Sequence, residues 1–489
     1  MGPAWSEADI PDLGGVTAVV TGANRGIGLE VVRGLADQPW APGARGAARL
    51  PVERASPADL MQLATDVGPA PMHVGAVVVL GTWPGFSVEH ARQLLGERIR
   101  AVPRLRQRLQ RAPPGCGRPF WADDPAFDPR HHITQVPCPA PGDQRALLDV
   151  AAVVLGEPLP RTRPLWSATF VTGLADGGTG LVIVMNHVLA DGIGGLAILA
   201  SLVDGGPRLP PAGTRAVPFP APAPRASALA ADAWAGRARR LADLPAAVRT
   251  IGQGLAELGG ARLPRRLPPT SLNRPTGPRR RLDVITADLA TARDLAHACG
   301  GTVNDVILAA VTGALRDLLA SRGEKLDPVT VSVPVSARQQ AAGGQLGNQV
   351  GVMPVALPTA GGLAARVTQI AAVTRDRKQA APGTSAVLLG PLFRLLAPTG
   401  LLRWLFNRQR LVHTFTTNLR GPAQPLTFAG ARVRAVIPIP NTTGNVPVTF
   451  GALSYAGTLC LTVLSDPGRV PDVAVLTAAL RRGPASAAG

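Results

Sequence analysis

Leu181-Val182-Ile183-Val184-Met185-Asn186-His187-Val188-Leu189-Ala190-Asp191-Gly192 is the stretch from which the fold of this chain is read. Five unbroken apolar residues, Leu181 to Met185, predict a short strand buried on both faces. The polar group that follows ends it, and Gly195 to Val203 then carries a helical pattern. A strand leading through a loop into a helix is a unit of mixed α/β architecture. It also sets Asn186 and His187 at the carboxyl end of a strand, where a rigid sheet aims a side chain and the loop leaves it accessible.

Successive strand residues point to opposite faces, so only one of Asn186 and His187 can face a cleft. A neutral imidazole has a reference pKa near 6.5 and can take a proton from an alcohol at neutral pH, a role worth roughly 10²–10⁴-fold in rate. That chemistry suits acyl transfer from an already activated thioester. Asp191, four residues on, can hold the histidine loop by an ion pair or backbone hydrogen bonds, and Gly192 permits a backbone that other residues resist. A core histidine beside an ordinary Asp-Gly turn fits the same residues, and the segment alone does not separate the two readings.

Working outward, Gly75 to Gly81 reads as a buried strand and Ser87 to Arg111 as a basic amphipathic helix. Between about Asp204 and Pro278 the chain is rich in Pro, Ala and Arg, with a helix predicted over Ala228 to Leu258; this is the make-up of a connector. Strands and helices then resume: Arg281 to Asp288, the helix Val303 to Arg322, Val329 to Pro334, Val350 to Leu357, Val433 to Pro438, Val448 to Tyr455, Thr458 to Leu464, and a helix from about Asp472. The expected organisation is an N-terminal segment over 1–50, a first α/β domain over 51–205, a connector over 206–278 and a second α/β domain over 279–489.

At 489 residues the chain exceeds what one core usually organises. The net charge of +18 is almost wholly arginine, since Lys325 and Lys378 are the only lysines. It is either codon bias spread over a solvated surface or attraction to an anionic partner such as a phospholipid surface or the phosphates of coenzyme A. Nucleic acid is not expected: there is one tyrosine and no recognisable binding motif. Cys116, Cys138, Cys299 and Cys460 are scattered without metal-ligand spacing, so no metal is implied and reduced cytoplasmic thiols are expected. No run reaches the roughly 18 apolar residues of a spanning helix. The nearest, Ser385 to Phe406, is broken by Pro391, Arg394, Pro398 and Arg403, and reads either as a buried hairpin or as a segment lying on a membrane surface.

The N-terminus points elsewhere. Val16 to Val20 followed by Thr21-Gly22-Ala23-Asn24-Arg25-Gly26-Ile27-Gly28 resembles the nucleotide-binding start of short-chain dehydrogenases. No second strand or ribose-holding acid follows, and a Tyr-x-x-x-Lys pair is impossible because the sole tyrosine, Tyr455, is followed four residues later by Leu459. Residues 1–50 are therefore read as a truncated remnant, a fusion or the product of a mis-chosen start codon, and cofactor binding is not expected there.

Further motifs recur in a fixed order around the histidine. They are Ser56 to Gly75 (SPADLMQLATDVGPAPMHVG), Trp121 with Phe127-Asp128 to His132, Pro164-Leu165-Trp166, Thr302-Val303-Asn304-Asp305-Val306, Pro334 to Arg338 with Gly347-Asn348, Asn418 with Gly421-Pro422, and Ser454-Tyr455 with Gly457 and Leu459. In these, and in its Asn186-His187-x-x-x-Asp191-Gly192 segment, the chain resembles the wax ester synthase/diacylglycerol acyltransferase family, whose signature is HHxxxDG. The resemblance covers about Ser56 to Asp472.

It implies an α/β (α+β) fold of two chloramphenicol-acetyltransferase-like mixed-sheet domains, a pseudo-dimer with the active site at their interface. It further implies His187 as catalytic base, Asp191 and Gly192 as its loop, and Asn304 as a candidate oxyanion donor. Acyl-CoA is then a cosubstrate rather than a cofactor, and diacylglycerol or a long-chain alcohol the acceptor, for triacylglycerol or wax ester synthesis. A cytoplasmic protein working peripherally on the inner membrane or a lipid droplet is the implied setting. An acyltransferase for a different alcohol, or an impaired relative that only binds acyl-CoA and lipid, are the alternatives.

Some of these motifs also have plain structural readings. Thr302 and Asp305 have the spacing of a helix capping box, while His73, His132, Tyr455 and Pro164-Leu165-Trp166 read as packing residues. Two positions depart from the family pattern. Asn186 replaces the first signature histidine, and Pro160 stands where the family usually has Asp, so an ion pair is expected to be missing there.

Overall fold

A computed structural model describes residues 52–66, 68–189, 192–206, 219–242, 267–268, 270–336, 350–380, 401–442 and 444–485. The dehydrogenase-like start, Asp191, most of the connector and residues 381–400 lie outside the described residues.

The first half of the chain supplies strands β1 (His73–Leu80), β2 (Gln107–Gln110), β3 (Phe120–Asp123), β4 (Ile133–Pro137), β5 (Trp166–Thr172) and β6 (Thr179–Asn186). Its helices are α1 (Pro57–Thr65), α2 (Val88–Arg100), α3 (Gln144–Gly156), α4 (Gly192–Leu202) and α5 (Ala226–Ala242). The second half supplies β7 (Arg281–Asp288), β8 (Val329–Ser336), β9 (Val350–Leu357), β10 (Thr414–Arg420), β11 (Thr427–Phe428), β12 (Ala431–Ile439), β13 (Val448–Tyr455) and β14 (Thr458–Ser465). Helices α6 (Leu289–Ala298), α7 (Val303–Ser321), α8 (Leu363–Ala380), α9 (Leu401–Phe406) and α10 (Val473–Ala485) accompany them.

Two six-stranded mixed sheets organise these elements. The first has the order β11-β12-β1-β6-β5-β4 and the second β7-β14-β13-β10-β8-β9. Thus β11 and β12, from the far half of the chain, complete the first sheet, with β12 antiparallel to β1. Tyr455 pins this crossover: its buried hydroxyl donates to Val433 O at 2.9 Å and accepts from Leu426 N at 2.8 Å. Asp204, just past α4, accepts from Arg98 at 2.6 Å and from the amides of Ala429 and Gly430. Burial alone would raise this carboxyl, yet Arg98 and the Gly430 amide hold it below its ordinary value.

The central strand β6 is buried along its whole length, as an unbroken apolar run requires. Leu181, Ile183 and Met185 face a core shared with α2 and α4, whereas Val182 and Val184 face a core shared with α3. That second core also takes in Ile437, Cys460 and Leu464, so it forms the seam between the halves. Arg145 on α3 reinforces the seam, donating to Leu282 O at 2.6 Å.

The helix expected over Ser87 to Arg111 ends at Arg100. Pro103 has no amide hydrogen and opens a separate turn, and Gln107–Gln110 leaves it as a strand paired with Phe120–Asp123. The helix predicted over Ala228 to Leu258 is described as Ala226–Ala242. Among the described residues no single helix is long and apolar enough to cross a membrane; α6 and α7 would qualify only as a pair bent by 92°.

Candidate active site

His187 follows the last residue of β6 and is half-buried. Its backbone N–H donates to Met72 O at 2.8 Å, which ties the turn to the start of β1. Gly75 lets β1 and β6 approach: a Cβ there would lie 2.1 Å from Ile183 O. On the ring itself, Nδ1 lies 3.4 Å from the Gln62 amide nitrogen of α1. That helix is set by a reciprocal cap, in which Ser56 Oγ accepts from Asp59 N at 3.0 Å and the Asp59 carboxylate accepts from Ser56 N at 2.8 Å.

Asn186 takes the other face of the sheet. It is 1% exposed, its Nδ2 donates to Asp66 at 2.9 Å, and its Oδ1 accepts from Val188 N at 3.0 Å. The same Asp66 carboxylate accepts from Met72 N at 2.9 Å and from Arg161 at 3.2 Å. The amide therefore closes the turn around His187 by holding the residue after it and the loop beside it. The residue after Pro160, Arg161, pairs with Asp66, an ion pair in which position 160 takes no part.

Asn304 lies in the first turn of α7, where its Oδ1 accepts from Asn418 Nδ2 at 3.4 Å. Asn418 is on β10, which packs against α4, the helix that Gly192 opens. Asn304 is thus joined to the elements around His187 through one strand. Asp305 acts differently. Its buried carboxylate accepts from Thr302 N at 2.8 Å, Thr302 Oγ1 at 2.7 Å and Thr374 Oγ1 at 2.8 Å. It caps and anchors the helix on which Asn304 sits.

Two of the other histidines, His73 and His132, are built into the framework. Buried His73 bonds through Nδ1 to Leu155 O at 2.9 Å, and buried His132 bonds through Nδ1 to Trp166 O at 2.9 Å while stacking on the Trp166 ring at 4.4 Å. Burial lowers the pKa of both. Trp166 Nε1 donates to Leu105 O at 2.6 Å, so the His132 and Pro164-Leu165-Trp166 motifs form one packed unit.

On the His187 face of the first sheet lies an apolar cavity of ≈ 50 Å³, lined by residues including Leu181, Ile183, Leu196, Leu199, Leu453 and Tyr455. It is small beside the roughly 300–1,000 Å³ of a typical ligand pocket. Sequence reasoning missed Gln62 and Asp66. Gln62 lies in α1 and Asp66 caps its C-terminal end, and their roles are legible only once α1 is known to meet the end of β6.

A family model for the wax ester synthase/diacylglycerol acyltransferase catalytic domain matches residues 55–307, and one for the C-terminal domain of the same family matches residues 346–483. A Mycobacterium tuberculosis H37Rv protein provisionally named a diacylglycerol O-acyltransferase is 30% identical over 421 residues, which is 81% of this chain and 86% of that one. A second from the same strain, similarly named, is 29% identical over 415 residues, 82% of this chain and 88% of the relative. Among solved structures, a wax ester synthase/diacylglycerol acyltransferase from Marinobacter aquaeolei VT8 has a TM-score of 0.62 at 22% identity, covering 89% of this chain and 98% of that one. The first condensation domain of the calcium-dependent antibiotic synthetase has a TM-score of 0.60 at 17% identity, with 91% and 98% covered, a likeness of fold.

Proposed function

The chain belongs to the wax ester synthase/diacylglycerol acyltransferase family, and on that premise we propose that it moves a long-chain acyl group from acyl-CoA to a hydroxyl of diacylglycerol or of a long-chain alcohol, with His187 as general base. One observation carries the reading. His187 stands at the end of the central strand with its ring beside Gln62, while Asn186 is turned away into Asp66. The position that differs from the family signature is thereby a support of the turn and not the base.

In this reading the amide oxygen of Gln62 turns toward His187 Nδ1, an exchange of O and N that leaves the side-chain shape unchanged. Nδ1 then holds the ring proton and Nε2 keeps the lone pair that takes the acceptor's hydroxyl proton. The alkoxide oxygen attacks the thioester carbonyl, a tetrahedral oxyanion forms, and its collapse breaks the C–S bond. The leaving coenzyme A sulfur takes the proton back from the imidazolium. Asn304 Nδ2 is the proposed donor to the oxyanion, a contact of a kind worth roughly 10²–10³-fold. Asp191 and Gly192 hold and open the loop. Acyl-CoA is a cosubstrate, and no cofactor or metal is invoked.

Both acceptors dissolve in lipid, so the site of action is proposed to be a membrane or lipid-droplet surface in the cytoplasm. The test is product analysis with palmitoyl-CoA and either dioleoylglycerol or hexadecanol. Palmitoyl-dioleoylglycerol or hexadecyl palmitate is the expected product. Bound acyl-CoA with neither product would contradict the proposal and assign the chain a lipid-binding role.

A further inference from the structure

Half of the exposed large apolar side chains among the described residues fall together. Among the described residues eight are exposed, and four of them, Leu401 (45%), Trp404 (53%), Leu405 (41%) and Leu411 (47%), fall within eleven positions. A single exposed leucine needs no explanation, but such a cluster does. Its base is firmly built. Gln409 Nε2 donates to Asn445 Oδ1 at 2.8 Å while Asn445 Nδ2 donates to Gln409 O at 2.9 Å, and Val412 is buried. The segment that follows α9 and carries Leu411 is therefore held in place, and α9 itself packs on α1.

Two exposed arginines border the cluster. Arg408 lies over the Trp404 ring at 5.0 Å, and neither Arg408 nor Arg410 has a carboxylate within 4.0 Å among the described residues. An apolar face with an interfacial tryptophan and unneutralised cations at its rim is complementary to an anionic lipid surface. The aliphatic groups enter the acyl boundary, the indole stays at headgroup level, and the guanidinium groups meet phosphates. The net charge of +18 adds long-range attraction of the same sign.

The location links this face to the site. Helix α9 packs against α1, the helix whose Gln62 faces His187. We propose that Leu401, Trp404, Leu405 and Leu411, with Arg408 and Arg410, form the surface by which the protein docks on an anionic phospholipid membrane, placing the α1 side of the active site against the lipid that holds the acceptor. This rests on the acyltransferase reading for the acceptor, though not for the docking itself.

The experiment uses the full chain with phosphatidylcholine vesicles containing phosphatidylglycerol, and compares wild type, Trp404→Glu/Leu405→Glu, Trp234→Glu and His187→Ala. Trp234, on α5, is exposed as well and serves as the control for charge placed on any surface tryptophan. The double variant is expected to lose vesicle binding by about ten-fold or more, whereas Trp234→Glu and His187→Ala bind like wild type, and binding by all forms weakens with salt. With vesicle-held dioleoylglycerol the double variant is expected to lose acyl transfer by a similar factor, yet to keep the wild-type rate with a dissolved short-chain alcohol. Undiminished vesicle binding by the double variant would overturn the proposal. So would a wild-type dimer in sedimentation that the double variant abolishes, because the face would then belong to a second copy. Absence of thiol release by wild type with every acceptor, with vesicle binding intact, would count against the acyltransferase reading and leave the docking surface standing.

Discussion

Asn186 and Asp66 are joined by a 2.9 Å hydrogen bond on the sheet face opposite to His187, and the same amide accepts from Val188 N at 3.0 Å. Asn186 therefore brackets the histidine through the residue that follows it and the loop that adjoins it. Replacing it by alanine removes both bonds in a nearly dry environment and leaves Val188 N unpaired. Asn186→Ala is expected to cost about 1–3 kcal/mol in urea denaturation. Because the turn then loosens, kcat should fall by about 10–100-fold with KM little changed. Unchanged stability would contradict the bracketing role.

Gln62 is a positioning residue for His187, acting on the ring and not on substrate. Gln62→Ala is expected to lower kcat by about ten-fold. Gln62→Glu is the sharper test, since a carboxylate beside the imidazole favours its charged form and should move the acid limb of the pH–rate profile to higher pH. A merely structural glutamine would leave that limb where it is.

Tyr455 donates to Val433 O and accepts from Leu426 N, joining the second sheet to the segment that completes the first. Tyr455→Phe keeps the ring and removes only the hydroxyl, leaving both backbone groups without their partner. Unfolding measurements should show a loss of about 1–3 kcal/mol.

His413 is fully buried between β8 and β10, and Thr330 N donates to its Nδ1 at 2.9 Å. Burial pushes its pKa from 6.5 down to about 4, so the fold accommodates the neutral ring. Above pH 6.5 the ring is neutral in both states and its contribution is complete. Between about pH 6.5 and 4 the unfolded chain binds a proton that the folded chain does not, so stability falls with pH by about 3 kcal/mol from this group. His413→Gln, whose amide oxygen can accept from Thr330, should flatten that part of the profile in denaturation experiments.

Much of this was readable from Leu181 to Gly192 and the motifs around it. An apolar run buried on both faces fixed a central strand, alternation separated Asn186 from His187, and the T-x-x-D spacing gave Asp305 its cap. The crossover was not legible. Val433 to Pro438 reads as a strand, but nothing local says that it pairs with β1, some 350 positions earlier, in preference to its neighbours in sequence. Gln62 and Asp66 escaped for the same reason, since their importance arises only where α1 meets the end of β6. Arg161 shows the limit of reading positions singly: nothing in its own neighbourhood announces that it pairs with Asp66, 95 positions earlier.

The central claim is that His187 removes the acceptor's proton during acyl transfer. It is tested most directly by coenzyme A thiol release from palmitoyl-CoA, with and without dioleoylglycerol or hexadecanol, in wild type and His187→Ala. Acceptor-dependent release in the wild type that falls by roughly 10²–10⁴-fold in a folded His187→Ala protein is the expected result. Equal release by the two proteins would contradict the claim.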